Sequence, residues 1–549
     1  MSYNSFIIDG YVDEPACFGV PPYISPYVRY VAGVCKEHGY NPGYMNIDQI
    51  RENPALLQSA ERSDLIVFIS GVTVPGKYIG GRPATGTEIM QIGASLRSPL
   101  KCIGGPVVFG SGGGGGCTAV KESFSVYDHV LQGEIASALD SVLLGGSPFG
   151  EFDYSKIDRW SVLGSDIIPQ HPAFPNVMCE LETARGCSRA VTGGCSFCTE
   201  AFYGLPKHRA ACGIHAEVSA LYKAGARHFR LGRQPDLLTY GTKGGGEFPV
   251  PNPQIIEELF SGIRKVAPEL KTLHIDNINP GTIARHEDES KEALSSIVRW
   301  HTSGDLAAFG LESADPLVIR ENNLKAQPDD VLRAIEIVNE VGGVRDENGI
   351  PHLLPGLNFV LGLSGESEKT YDLNESFLRD VLKRDLLVRR VNIRQVMPFE
   401  GTKAYEENTI GKYEKRFRQF KEWVRNEFDL PMLKRVFPAG TVLSDLIIEV
   451  EGQTSFGRQL GSYPILAGMP LQIPKGSIID AVVCDWGFRS VTAIPYPVKI
   501  NELPASAIKK IPGIGKKKAV KIIAKRPFQS YEELKKVAED VIPEKYIGF

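Results

Sequence analysis

Between residues 176 and 430, short apolar segments alternate six times with longer segments of helical period, and this alternation restricts the fold more than any other feature of the chain. The segments 177–183, 228–232, 272–277, 307–311, 357–361 and 390–395 predict strands. Stretches such as 216–224, 253–266, 328–341 and 370–383 predict amphipathic helices between them. A parallel strand pair needs a long crossover, and such crossovers are almost always right-handed. Six βα units in series therefore curl one parallel sheet toward a partial barrel over 176–430. Barrels of this kind gather their functional groups at the carboxyl ends of the strands.

The cysteines fall at one such end. Five of the ten lie between residues 179 and 212. Ten in 549 residues are too sparse for a disulfide scaffold, and the local cluster reads as a metal site. Cys187-x7-Cys195-x2-Cys198 follows the first predicted strand directly. Three thiolates can hold three irons of a four-iron cube and leave the fourth iron open to a substrate or cofactor. Structural zinc, with Cys179 or Cys212 as fourth ligand, is the alternative. Zinc sites favour two Cys-x2–4-Cys pairs, only one is present, and Cys179 reads as core.

Glu182-Thr183-Ala184-Arg185-Gly186-Cys187, followed by Cys195-Ser196-Phe197-Cys198, resembles the cluster loop of radical SAM enzymes, with four residues inserted into the usual Cys-x3-Cys-x2-Cys spacing. The insertion is small and glycine-rich, as a looped-out detour requires. The likeness continues in order through 224–234, Phe309-Gly310-Leu311-Glu312-Ser313, 359–367 with Ser364 in place of a proline, and Met397-Pro398-Phe399-Glu400-Gly401-Thr402. These segments resemble the strand ends of methylthiotransferase-type members. The resemblance implies that Cys187, Cys195 and Cys198 hold a [4Fe-4S] cluster and that S-adenosylmethionine chelates its open iron. It also implies a one-electron donor such as ferredoxin or flavodoxin. Phe197 would pack near the adenine, Glu312 would accept from the ribose hydroxyls, Ser313 would line the same pocket, and Gly362 would let the backbone approach. An ion pair with Arg233 is the alternative for Glu312. Arg185 would balance the cluster or the cofactor carboxylate, with a surface ion pair as its alternative. Gln234, Asp276 and Arg394, at predicted strand ends, are candidates to face the substrate.

Residues 1–150 read as alternating strands and helices, a flavodoxin-like α/β domain, with strands at 5–9, 65–70, 100–103 and 127–131. The glycines at 112–116 either cradle a phosphate or form a bare loop, and no Gly-Lys-Ser/Thr follows to make a P-loop. Ile103-Gly104-Gly105-Pro106 resembles the cobalamin-binding-like domain that precedes some radical SAM barrels, although Asp-x-His-x-x-Gly is absent. Cys17, Cys35, Cys102 and Cys117 lack the local motifs of a second cluster domain. Bound cobalamin, a second cluster and no cofactor all stay open for this domain. Asp13-Glu14-Pro15 and Arg29 could reach the barrel mouth, and 151–175 reads as a linker.

Residues 431–498 predict a small β-domain. It is read loosely as an RNA-binding appendage, with Trp486, Phe488 and Arg489 able to stack a base and burial of the two aromatics as the alternative. From Lys499 to Phe549 the chain carries 12 Lys/Arg against 6 Asp/Glu, while the whole chain is at −4. Within it, Ile511-Pro512-Gly513-Ile514-Gly515-Lys516-Lys517-Lys518 resembles a helix-hairpin-helix. Gly513 and Gly515 would turn backbone amides toward a phosphate, and Lys516, Lys517 and Lys518 would add salt-sensitive attraction. A docking arm for protein is the alternative. No apolar run reaches the length of a membrane span, and no signal-peptide pattern opens the chain, so a cytoplasmic protein without a membrane partner is expected. Together these readings resemble an archaeal-type radical SAM group, and they imply an enzyme that modifies nucleic acid, RNA before DNA, by methylation or related group insertion. Modification of a protein or small molecule, and a metal-stabilised nucleic-acid-binding scaffold, are the two alternatives.

Overall fold

The computed structural model describes residues 3–13, 18–71, 80–112, 114–539 and 546–548. Five parallel strands form the front sheet in the order Tyr40–Asn46, Tyr3–Asp9, Leu65–Ile69, Leu100–Gly104 and His129–Val130. In chain order this is 2-1-3-4-5, the flavodoxin-like arrangement. Strand Tyr40–Asn46 escapes a sequence reading because Pro42 and Gly43 interrupt it. It lies at the sheet edge, where a missing N–H costs no ladder bond.

Residues 151–175 are not a linker. They carry helix Tyr154–Leu163 and the short helix Ser165–Gln170, with Ile157, Trp160, Ile167 and Ile168 in the core. This segment packs on helix Pro26–Glu37 so closely that a Cβ on Gly33 or Gly164 would overlap backbone of the other helix. Gly164, the one glycine of this segment, is there to allow close approach.

Six parallel strands make the partial barrel. Met178–Glu182, His228–Gly232 and Thr272–Ile275 form one sheet, and Asp305–Glu312, Leu353–Leu361 and Arg390–Gln395 the other, joined by a parallel bridge between Asn277 and Ala308. Six strands leave two open edges, which present unpaired backbone groups. The front domain covers both. Tyr23–Ile24 pairs with Met178 and Cys179 on the first strand. On the last, Gly116 N donates to Val396 O and Ala119 N donates to Pro398 O, each at 2.9 Å. The glycine run is thus a seam against strand six, neither a phosphate cradle nor a bare loop; Gly113 lies outside the described residues. A Cβ on Gly115 would stand 2.5 Å from the Gln395 carbonyl oxygen. Gly115→Val is expected to cost about 1–3 kcal/mol by overpacking this seam, read as a lower urea midpoint.

A closed five-stranded barrel follows, built from Val442–Val450, Ser455–Arg458, Leu466–Met469, Ser490–Pro495 and Ile478–Trp486. It is no loose appendage. Its loop 461–463 enters the base of the large barrel, where Ser462 N donates to His274 Nδ1 at 2.8 Å and Ser462 Oγ donates to the Ile275 carbonyl at 2.9 Å. Tyr23 OH donates to Gly461 O at 2.5 Å, and Arg230 Nε donates to Ser462 Oγ at 3.0 Å. Trp486 is half-buried with its indole donating to Phe437 O at 2.7 Å, and Arg489 is held by Asp429 at 2.9 Å, so neither is free to stack a base. Phe488 remains exposed beneath the Arg425 guanidinium. Helices Ala505–Ile508, Lys516–Ala524 and Tyr531–Ala538 follow, and their Ile508, Ile511, Ile514 and Ile522 share one core with Val442, Val482 and Ile494 of the small barrel. Among the described residues no helix is long and apolar enough to cross a membrane.

Candidate functional site

The cysteine loop leaves the first barrel strand through Ala184–Arg185 and Gly186, whose φ is +88°. Cys187 opens a single helical turn, Ser188–Thr192, which Gly193 and Gly194 end at φ +87° and +73°. That turn is the inserted stretch: it coils out and returns the chain to Cys195. It is clamped from the segment after strand four. Asn323 Nδ2 donates to Thr192 O at 2.9 Å and to Gly194 O at 2.8 Å, and Ser196 N donates to Asn322 O at 3.0 Å. Arg189 bonds Asn323 O and pairs with Glu247.

The three thiols lie close enough to couple electrostatically with one another and with one cation. Burial, with Glu312 nearby, pushes Cys195 up to about 11. Burial and Cys195 raise Cys198 further, and burial raises Cys187. Burial opposes the charge of Lys325, yet Glu312, Cys195, Cys187 and Cys198 together hold its pKa above the ordinary lysine value. A Cβ on Gly310 would meet Lys325 Nζ at 2.6 Å, so glycine is what lets this lysine cross the strand end. Cys179 packs in the hydrophobic core and Cys212 is exposed at the start of helix Ala211–Lys223. Strand alternation puts Cys179 on the face opposite Glu180 and Glu182, which removes it as a fourth ligand of this loop. Among the described residues no three His, Cys, Asp or Glu side chains stand as ligands of a single metal ion.

Glu312 ends strand four with φ +58°, after an irregularity in its pairing with strand five. Such irregularities re-aim side chains beside functional sites. Its carboxyl is buried, its Oε2 has no hydrogen-bond partner, and burial raises its pKa against Lys325 and Arg189. Its charge partner is Lys325, not Arg233, which lies 3.7 Å from Glu182. Ser313 is buried, and its hydroxyl accepts from Asp315 N at 3.1 Å. Gly362 needs its φ of +89°, and its N donates to Glu366 Oε2 at 2.5 Å. Phe197 and Cys195 pack on an apolar cluster with Leu324, Leu363 and Val396.

Arg185 does not make a surface ion pair. It is buried, bound to Glu182 Oε2 at 2.6 Å and Tyr27 OH at 2.9 Å, and boxed by the rings of Tyr27, Phe152 and Tyr203. Arg29 does not reach the mouth. It pairs with Glu217 under helix Ala211–Lys223. Asp13 is buried, while Glu14, Pro15 and Cys17 lie outside the described residues. Gln234 is buried and accepts from Thr183 Oγ1 at 3.1 Å. Asp276 is buried and paired with Arg230. Arg394 is half-buried and has no acidic partner. Lys325, Asn322 and Asn323 have no signature in the sequence, because they come to the cysteines across the barrel.

In the terminal hairpin Gly513 takes φ +78° and Gly515 precedes helix Lys516–Ala524 with nothing near its Cα hydrogens. Lys516 and Lys517 are exposed, whereas Lys518 is turned back onto Glu539 at 2.7 Å.

Residues 496–541 match the family described as the helix-hairpin-helix motif. An uncharacterised protein of Archaeoglobus fulgidus is 41% identical over 97% of this chain and 97% of its own. The ribosomal protein uS12 methylthiotransferase RimO of Shewanella oneidensis is 22% identical over 58% of this chain and 62% of its own. Among solved structures, the radical S-adenosylmethionine methyltransferase TsrM of Kitasatospora setae superposes with a TM-score of 0.50 at 14% identity, over 74% of this chain and 76% of that one.

Proposed function

The chain belongs to a family that it shares along nearly its whole length with an archaeal relative, and we propose that it is a radical SAM enzyme, one that cleaves S-adenosylmethionine reductively to modify a nucleic acid, RNA before DNA, by methylation or related group insertion. One observation carries the first half. Three cysteines of one loop lie within electrostatic reach of a single lysine, which crosses the strand end at Gly310 beside a buried carboxylate with one oxygen unpartnered. This donor set fits a [4Fe-4S] cluster held at three corners. When bound, the cluster and S-adenosylmethionine supply a one-electron cleavage that yields a deoxyadenosyl radical. The protein's part is to hold and exclude. Cys187, Cys195 and Cys198 would hold the irons. Glu312 Oε2 would accept from a ribose hydroxyl, and Lys325 favours the charged form of that carboxyl against its burial. Phe197 and Leu363 would cover the adenine, and Gly362 would give the cofactor clearance. Protein purified without oxygen and given dithionite should be brown and should release 5′-deoxyadenosine and methionine. Colourless protein with stoichiometric zinc overturns the reading.

The hairpin supports the nucleic-acid half. Lys516→Glu/Lys517→Glu is expected to weaken binding of a single-stranded oligoribonucleotide about tenfold and to flatten its salt dependence, since fewer counterions are released. Unchanged affinity at moderate salt counts against RNA as the substrate. The front domain supports a role for cobalamin through one cavity of about 850 Å³, between Val108, Phe109 and Gln132 and the loop carrying Phe202 and Tyr203. Hydroxocobalamin should survive desalting with the protein at one equivalent by its visible spectrum. Free passage of the corrin through the column removes it from the account.

A further inference from the structure

Strand alternation turns Arg390, Asn392 and Arg394 of strand six to the inside of the large barrel, while Val391 packs in the core behind them. The interior acids already have cations. Arg230 takes Glu180 and Asp276, Arg185 takes Glu182, Lys325 sits by Glu312, and Arg489 takes Asp429. Arg390 and Arg394 are left over, and among the described residues neither has an acidic side chain within ion-pair distance. Both are half-buried. Arg390 lies over the ring of Tyr463, 4.7 Å from its centroid. Arg394 reaches only an amide: with the Asn392 oxygen turned toward it, Nε and Nη2 stand 2.7 and 3.2 Å away. The other charged neighbours of Arg390 are Arg389, Arg394, Arg489 and Asp429, and Arg489 pairs with the one acid among them.

Two half-buried guanidiniums without counter-charge favour an anion beside them. Their planar forks suit a phosphate oxygen pair, and a stacked guanidinium is already held in place for it. We propose that Arg390 and Arg394 form a phosphate-binding site in the barrel lumen, with Tyr463 of the β-domain loop as its floor and Asn392 aiming Arg394. This rests on the nucleic-acid reading for its commitment to a nucleotide phosphate. It also explains why the small β-domain is built into the barrel base: without loop 461–463 Arg390 would lose the ring that orients it.

The test uses the full chain. A labelled single-stranded oligoribonucleotide is titrated over a salt series, and adenosine 5′-monophosphate and inorganic phosphate are each tested for thermal protection. Arg390→Gln/Arg394→Gln should raise the RNA Kd several-fold and lower the slope of log affinity against log salt by about 0.7 per lost phosphate contact. Lysine at both positions should restore part of the slope but not the affinity, because the forked geometry is lost. Protection by the mononucleotide should vanish in the double Gln variant. RNA bound by wild type and double variant with one affinity and one slope overturns the lumen site and leaves the hairpin reading intact. RNA not bound at all, with mononucleotide protection that requires both arginines, removes the nucleic acid and keeps the lumen site for a small phosphate ester. Arg394→Gln alone, at the more open end of the strand, guards against loss of fold in the double variant: a smaller shift of the same sign is expected, and no shift overturns the assignment of that residue.

Discussion

Cys195→Ala is expected to abolish release of 5′-deoxyadenosine from anaerobically reconstituted protein and to strip its iron, with a larger loss than the roughly 10- to 100-fold that follows removal of an outer-shell partner of a metal site. Cys195 is half-buried against an apolar cluster and couples electrostatically to both Glu312 and Cys187. Cys187→Ala and Cys198→Ala should do the same. Cys212→Ala is the control: its exposed thiol lies outside the clamp made by Asn322 and Asn323, so iron and cleavage should stay at wild-type levels. Iron content and deoxyadenosine yield are read together. Iron retained in full by all three single variants, or lost equally with Cys212, overturns the ligand set. Glu312→Gln separates cofactor binding from cluster assembly. It should keep its iron while weakening S-adenosylmethionine, because the amide cannot offer the same acceptor charge to the ribose.

The second large effect is on stability. Glu217 lies fully buried between Arg29 and Arg209 and bonds both. Arg29 comes from front-domain helix Pro26–Glu37, and Arg209 also holds Asp158 of helix Tyr154–Leu163. One carboxylate therefore ties the front domain, the former linker segment and the barrel. Glu217→Ala leaves two buried guanidiniums short of charge and is expected to cost about 3–5 kcal/mol, the range for breaking a buried ion pair from one side. A urea titration should show it as a lowered midpoint. A loss below about 1 kcal/mol would show the triad to be electrostatically idle. The pH dependence has a definite sign. Burial raises the Glu217 pKa, but Arg29 and Arg209 outweigh it and the net shift is downward. A depressed carboxyl contributes stability above its unfolded pKa and loses it as pH falls through the folded value. Wild type should thus lose stability on acidification more steeply than Glu217→Gln does.

Much of the frame was legible from residue pattern. Strand and helix periods are local, and the strands 228–232 and 390–395 stand where their apolar runs begin and end. The edge strand Tyr40–Asn46 was not legible, because proline and glycine signal a turn wherever the sheet context is unknown. The same error made a linker of residues 151–175. Gly164, Pro169, Pro172 and Pro175 look like punctuation until Trp160 is seen buried against helix Pro26–Glu37.

The sequence by itself determined that three thiols fall within twelve residues after a parallel strand, and spacing along one loop bounds what its side chains can hold. It also determined the βα order, because right-handed crossovers leave few ways to arrange six such units. Only the tertiary structure decided which charges remain over. Arg185 and Arg394 look alike in a sequence, yet one is closed in an aromatic box with Glu182 and the other faces the lumen without an acid. An ion pair forms between residues that may lie dozens or hundreds of positions apart, and burial sets its strength. Neither distance nor burial is written in the order of the residues.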